Sequence, residues 1–421
     1  MRKKYFEQPF LSLLPFLLVY ALIVIFQNSD SLMGDESRYF AFANNLLNGF
    51  YSPPPPDINL WNGPGFPLYL IPFVALKLPL IVIRLFNALL YYAVLLLFNK
   101  TLSIFLDLKR SFLFTSLFAC YYMPYKSLPF ILSETLTILL IAAITLLATR
   151  YFSQEIKHRN TKNTVFLAMV LAFLALTKVL FGMVYLFAGI LFLLLFLLTK
   201  NRSYRSSSVL LFCALSFCLP YLIYTYSLTG KVFYWSNAGG MSAYWMSNPI
   251  PGEYGEWHND SLSSPPMAPE SLQKLRINHE ADYKEIYSYK GVKRDDAFKE
   301  FAFRNIKEQP MKFFQNWIAN WSRMFFNYPV SYIPLRIGTI GNMLANIPVL
   351  ILLAFSTVLT WRNKQRFPFG ISFLLYLSGV YLMISSLLSA YDRMFYVLAP
   401  ALGLWIIYSV SFFWKIKNQN E

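Results

Sequence analysis

An all-α polytopic membrane protein, with about ten transmembrane helices and two long segments on the outer face, is the fold class this sequence predicts. Three observations carry it. Of 421 residues, 56% are hydrophobic, 19% aromatic and only 14% charged, more apolar surface than a soluble domain can bury. The apolar residues come in runs about 20 long, the length a helix needs to cross the hydrocarbon core. Of the 37 Lys and Arg, which bring the formal net charge to +16, 17 fall in short clusters between those runs. The clusters are Arg2-Lys3-Lys4, Lys109-Arg110, Arg150 with Lys157, Arg159 and Lys162, Lys200 with Arg202 and Arg205, Arg362 with Lys364 and Arg366, and Lys415 with Lys417. If the runs alternate in direction, every cluster lands on one face, which is the positive-inside pattern. The charge therefore reads as topology, and nucleic acid is not an expected partner.

Taken in order, the spans fall near residues 9–27, 82–106, 110–126, 128–148, 164–181, 183–199, 207–228, 338–360, 368–388 and 393–414. Both termini then face the cytoplasm, and a bacterial inner membrane is the expected location. A basic start and an apolar run with no small-residue cleavage site after them predict a retained first span. Cys120, Cys213 and Cys218 lie in apolar stretches without metal-ligand spacing and read as small buried hydrophobes. The chain divides into an N-terminal membrane module, 1–228, which includes a first outer segment at 27–81, then an outer-face segment, 229–336, and C-terminal helices, 337–421. Turns at Tyr125-Lys126-Ser127, Leu180-Phe181-Gly182 and Ala390-Tyr391-Asp392 fall on the same outer face.

Within the first outer segment, Tyr39, Phe42, Ala43, Leu46 and Leu47 recur at helical spacing between Asp35 and Leu47. They predict a short interfacial helix with Gly49 as its stop. The Pro53 to Pro56 run forces an extended chain, and Leu68 to Leu80 is apolar but too short to span. The second outer segment opens on a turn at Trp235 to Gly240 and passes through a Pro- and Ser-rich stretch at 261–269. An amphipathic helix follows from Asp295 to Glu308, with Phe298, Phe301, Ala302 and Ile306 on one face and Pro310 as its stop. No internal repeat, coiled coil or low-complexity tail is present.

The chemistry is expected at Met33-Gly34-Asp35-Glu36-Ser37-Arg38-Tyr39, just beyond the first span. Adjacent carboxylates beside a guanidinium at the edge of a low-dielectric slab are costly to solvate unless they bind something. This layout resembles the GT-C membrane glycosyltransferases that use polyprenyl-phosphate sugars, the group of protein O-mannosyltransferases and lipid A aminoarabinose transferases. Asp35-Glu36-Ser37-Arg38-Tyr39 resembles that family's acidic motif in the first outer loop, and Asn62-Gly63-Pro64-Gly65-Phe66-Pro67-Leu68-Tyr69 its Pro-rich approach to the next apolar stretch. Leu132-Ser133-Glu134-Thr135, Leu176-Thr177-Lys178, Ser236-Asn237-Ala238-Gly239-Gly240 and Asp392-Arg393-Met394-Phe395 with Pro400 follow in the family's order. The Glu-Lys pair of the aminoarabinose branch is replaced here by Leu60-Trp61-Asn62. The resemblance implies a polyprenyl-phosphate sugar donor, a glycan, lipid or protein hydroxyl as acceptor on the extracytoplasmic face, and inversion at the anomeric centre.

Such a donor carries its own leaving group, so the protein must supply a base for the incoming hydroxyl and cations for the departing phosphate. Asp35 is the candidate base, with Glu36 as its alternative or else as a salt-bridge or helix-cap partner of Arg38. Arg38, Arg84, Lys178 and Arg393 are the candidate phosphate ligands, followed by Lys126, Arg323 and Arg336. Lys178 follows the apolar run Val165 to Leu176, so it reaches either an anion or the headgroups. Arg393 binds phosphate or pairs with Asp392, and Arg84 binds phosphate or packs a helix end with Asn87. Tyr39, Glu134, Asn237 and Asp392 are candidate cavity residues, and Glu134 either lines the cavity or pairs with Lys178.

His258 and His279, among Glu253, Glu256 and Asp260, lack metal-ligand spacing and read as solvated loop residues, so no metal or other cofactor is expected. Tyr121, Tyr122, Tyr234, Trp235, Tyr244, Trp245 and Trp257 read as an interfacial belt from which a few could stack on a sugar. Two other readings remain. A transporter or flippase of lipid-linked sugars would place polar groups midway along helices and show repeated halves. A membrane polysaccharide polymerase or ligase would rely on outer-loop arginines. The short cytoplasmic loops leave no room for a nucleotide-binding domain.

Overall fold

The computed structural model describes residues 8–155, 159–258, 270–363 and 366–420. Arg2-Lys3-Lys4, Lys157, Asp260, the stretch at 261–269, Lys364 and the side chain of Lys417 lie outside the described residues.

Among the described residues every regular element is helical. In chain order the helices are α1 (Pro9–Ser12), α2 (Leu14–Phe26), α3 (Asp35–Leu47), α4 (Gly65–Ala75), α5 (Leu80–Leu102), α6 (Leu108–Ala119), α7 (Ser133–Ser153), α8 (Thr161–Thr177), α9 (Leu180–Thr199), α10 (Arg202–Phe217) and α11 (Leu219–Thr229). The second outer segment contributes α12 (Gly239–Met246), α13 (Glu270–Ile286), α14 (Gly291–Glu308) and α15 (Pro310–Phe326), and the chain closes with α16 (Ile337–Arg362), α17 (Phe369–Ser386), α18 (Arg393–Tyr396) and α19 (Ala399–Asn420).

Six of the described helices are long and apolar enough to cross a membrane: α5, α7, α9, α16, α17 and residues 399–416 of α19. The protein is an integral membrane protein. Counted as one span, the pair α10 and α11, bent by 52°, makes a seventh. Its break falls beside Pro220, which lacks an amide hydrogen and whose ring crowds the preceding turn. The other expected spans, 9–27, 110–126 and 164–181, fall on α1 with α2, on α6 and on α8, none of which exceeds 17 residues.

The helix α7 forms the middle of the bundle, packing on α5, α8 and α17. Burial ranks the spans: 72% of the most apolar window of α7 is buried against 11% for α16, whose Leu344 and Ile351 point away from the protein. Some polar side chains inside the bundle are satisfied by the backbone of their own helix or by a neighbouring helix, as hydrocarbon demands. Thr145 donates to the Ile141 carbonyl at 2.7 Å, and Asn99 donates to Thr115 Oγ1 at 3.2 Å, tying α5 to α6.

The two long segments between the spans, expected on the outer face, meet at one end of this bundle. α3 has the predicted bounds, Asp35–Leu47, and packs on α4. α14 begins at Gly291, one turn earlier than the hydrophobic face suggests, and packs on α12. Asn237 staples the segments together: its Oδ1 accepts the Leu60 amide at 3.0 Å and its Nδ2 donates to the Ile58 carbonyl at 3.0 Å. Both ends of that amide are spent on backbone, and Asn237 is not among the residues lining the cavity beneath.

Candidate active-site cavity

Beneath the joined outer segments lies a cavity of about 390 Å³. Its walls come from the start of α3 (Asp35, Tyr39), the loop Trp61 to Gly63, the start of α7 (Ser133, Glu134), the break between α8 and α9 (Thr177, Lys178), the strip before α12 and the chain around Tyr391 and Arg393. Close backbone approach makes this possible. A Cβ on Gly65 would stand 2.6 Å from the Thr177 amide nitrogen, so only glycine lets the Trp61 loop cross the end of α8 beside Lys178.

The charged side chains form one row. Asp35 Oδ1 accepts from Arg38, and Asp35 Oδ2 lies 3.2 Å from Arg393 Nη1. The same Arg393 nitrogen is 3.8 Å from Glu134 Oε1, which accepts from Lys178 Nζ at 3.2 Å. The start of α3 suits Asp35, because the exposed amides of a helix N-terminus favour negative charge. Tyr39 donates to Ser133 Oγ at 3.1 Å and accepts from Asn62 Nδ2 at 3.2 Å. Asn62 Oδ1, Glu134 Oε2, Arg393 Nε and Trp235 Nε1 are buried on residues of this lining and have no partner within the protein. Native structures leave few such atoms unpaired, and a polar ligand would satisfy them.

Asp35, Tyr39, Glu134, Lys178 and Arg393 are thus brought together, with Arg38 on the far side of Asp35 and 4.9 Å over the Trp61 ring. Arg84 and Glu36 are not among them. Both side chains are 0% exposed and pair with each other at 3.1 Å. Arg84 also binds the Ser29 and Ser31 carbonyls and Asn28, while Glu36 accepts the Met33 and Ile131 amides, each at 2.6 Å. The structure therefore corrects their readings as phosphate ligand and alternative base: both are held in the core. Asp392 pairs with Lys126 at 2.7 Å instead of with Arg393, which leaves Arg393 to Asp35 and Glu134. Lys126 is thereby committed to Asp392 and Asn342, Arg323 is buried among carbonyls, and Arg336 is exposed. Trp61, Asn62, Lys299 and Tyr391 line the cavity without having been singled out as site residues, and Trp235 and Trp257, from the aromatic set that offered a few sugar-stacking candidates, line it too. Asn62 lies inside a motif that flagged its neighbours.

His279 is not solvated, and His258 is only partly exposed. His279 is buried between Tyr244 Oη at 2.6 Å and Glu253 Oε2 at 2.8 Å, and His258 meets the buried Glu256 at 3.2 Å. Tyr244 and Trp245 are buried in the same outer-segment core. No group of three or more His, Cys, Asp or Glu among the described residues could hold a metal ion. Burial pushes the Glu256 carboxyl upward, but the hydrogen bond and charge of His258, the Ser331 amide and the Arg323 guanidinium outweigh it and hold it at about 2, below the usual 4.5.

A group depressed in this way stabilises the fold above its unfolded value and loses that contribution as acid protonates it. Melting of the outer segment should therefore fall as pH drops from about 4.5 to about 2, by roughly 3 kcal/mol over the window. Glu256→Gln should flatten this dependence in a pH series of thermal melts. An unchanged acid slope would refute the assignment.

No family model and no curated protein matches this chain. Among solved structures it is similar to the oligosaccharyltransferase of Archaeoglobus fulgidus tethered with an acceptor peptide containing the NVT sequon via a disulfide bond, at 15% identity and a TM-score of 0.49. The match covers 95% of this chain and 49% of the other, so this chain spans about half the length of that neighbour.

Proposed function

We propose that this chain is a GT-C-type membrane glycosyltransferase that moves a sugar from a polyprenyl-phosphate donor to a hydroxyl acceptor on the extracytoplasmic face of a bacterial inner membrane. The observation that supports it is the row Asp35, Arg393, Glu134, Lys178, gathered on one cavity where the membrane helices meet the outer segments, with Arg38 paired to Asp35 behind it.

In this reading the lipid tail stays in the bilayer and its phosphate displaces part of the Arg393 and Lys178 pairing, taking charge-assisted bonds from both. The acceptor hydroxyl, from a glycan, a lipid or a protein, enters from the aqueous side beside Asp35. Its oxygen forms the new bond to the anomeric carbon as the carbon–oxygen bond to phosphate breaks. The electron pair leaves with the phosphate and the proton goes to Asp35. Displacement on one face inverts the centre. Glu134 spaces the two cations, and Asn62, Trp235 and Tyr39 contact sugar hydroxyls. The two cations supply the charge that the leaving group needs, so the reading calls for no cofactor.

The test is chemical identification. Protein purified from its native membrane should carry a polyprenyl phosphate or its glycosylated form by mass spectrometry, and membranes should transfer radiolabelled sugar from that lipid to an acceptor. Copurification of the glycolipid without any transfer would favour a flippase and sink the enzyme reading.

A further inference from the structure

Part of the buried face of α15 holds one short strap of chain, residues 386–390, which leads from the end of α17 towards α18. Asn320 donates to the Ser386 carbonyl at 2.8 Å and the Leu388 carbonyl at 2.7 Å, and accepts the Ala390 amide at 2.9 Å. Arg323 donates through Nε to the Ala390 carbonyl at 3.2 Å and through Nη2 to Asn320 Oδ1 at 2.8 Å. Its Nη1 is anchored on the Tyr254 and Pro329 carbonyls at 3.2 and 3.1 Å, within the outer segment itself. Both side chains are 0% exposed, so water cannot take over their bonds without a large cost. At the edge of the strap, Trp317 Nε1 donates to Ser386 Oγ at 2.9 Å.

Neither Asn320 nor Arg323 lines the cavity, yet the strap they hold carries Leu388, Ser389 and Ala390 into its wall and delivers Arg393 three residues later. Beyond Ser386 the strap is non-helical, so its direction is set by these bonds. We propose that Asn320 and Arg323 are positioning residues: through the strap they set the Arg393 guanidinium between Asp35 and Glu134. The functional consequence rests on the proposed glycosyl transfer, because a phosphate ligand displaced by about 1 Å loses much of its effect. It also makes the outer segment, through α15, part of the phosphate site and not a cover over it.

Two measurements on the full-length protein in detergent decide this. Hydrogen exchange of residues 386–394 should speed up about tenfold in Arg323→Lys and in Asn320→Ala, with exchange in the rest of α17 unchanged. Affinity for added undecaprenyl phosphate should weaken about tenfold in Arg323→Lys, but less than about twofold when the same change is made in an Arg393→Lys background. Equal losses in both backgrounds, or unchanged exchange in the strap, overturn the proposal, because a merely structural role would act without passing through Arg393. Should the buried variants fail to fold, Trp317→Phe removes only the bond to Ser386 and should shift both readings in the same direction by a smaller factor. Wild-type protein that binds undecaprenyl phosphate no better than phosphatidic acid would sink the proposed function alone. The exchange result still decides whether α15 holds the strap.

Discussion

Asp35→Asn should reduce the turnover of sugar transfer by about three orders of magnitude while leaving affinity for undecaprenyl phosphate intact. The amide nearly matches the carboxylate in size, and its carbonyl can still accept from one of the two arginines. What it cannot do is take a proton from the acceptor. Removing a negative charge 3.2 Å from Arg393 also makes the pocket more attractive to phosphate, so donor binding should tighten if it moves at all. That split separates a base from a residue that only shapes the site. Glu134→Gln is the comparator: it strips Lys178 of its partner at 3.2 Å and loosens the spacing of the two cations, so its effect should fall on donor affinity. Full turnover by Asp35→Asn in membranes with normal protein levels would remove the base assignment. A loss of donor affinity equal to the loss of turnover would demote Asp35 to a structural partner.

What could be read ahead of the structure depended on whether a signal was local. Asp35–Leu47 was legible to the residue, because an amphipathic repeat and an acidic first turn are written in consecutive positions. The long apolar runs fell on helices for the same reason, though their lengths did not all reach a full crossing. α13 and α15 were missed. α13 is mostly polar, and α15 begins at Pro310, which reads as a stop for the preceding helix and serves also as the first residue of the next. The longest-range ion pairs were beyond reach, since Arg393 with Asp35 and Lys126 with Asp392 join residues hundreds of positions apart, whereas Glu134 with Lys178 was one of the alternatives the sequence offered. Adjacent in sequence, Asp392 and Arg393 invited a local pairing that the fold declines in favour of distant partners.

Glu36 and Arg84 carry the second large effect, on folding. Consecutive residues of a helix project about 100° apart, so at the start of α3 Asp35 turns to the cavity and Glu36 into the core. Glu36→Gln leaves the Arg84 guanidinium charged and fully buried, and the Met33 and Ile131 amides share one remaining acceptor oxygen. Breaking a buried pair from one side costs about 3–5 kcal/mol, so the melting temperature in detergent should fall sharply. Adding Arg84→Met should recover part of that loss by removing the unpaired charge. The guanidinium also closes the 28–31 stretch over α5 through Asn28 and the Ser29 and Ser31 carbonyls, so recovery stays incomplete. Per folded molecule, turnover should stay within about threefold of wild type, because neither side chain reaches the cavity. Normal stability with lost turnover would reverse the roles of the two carboxylates. The contrast with Asp35→Asn is therefore decisive for the site: one acidic residue should fail in chemistry with its fold intact, and its neighbour in folding with its chemistry intact.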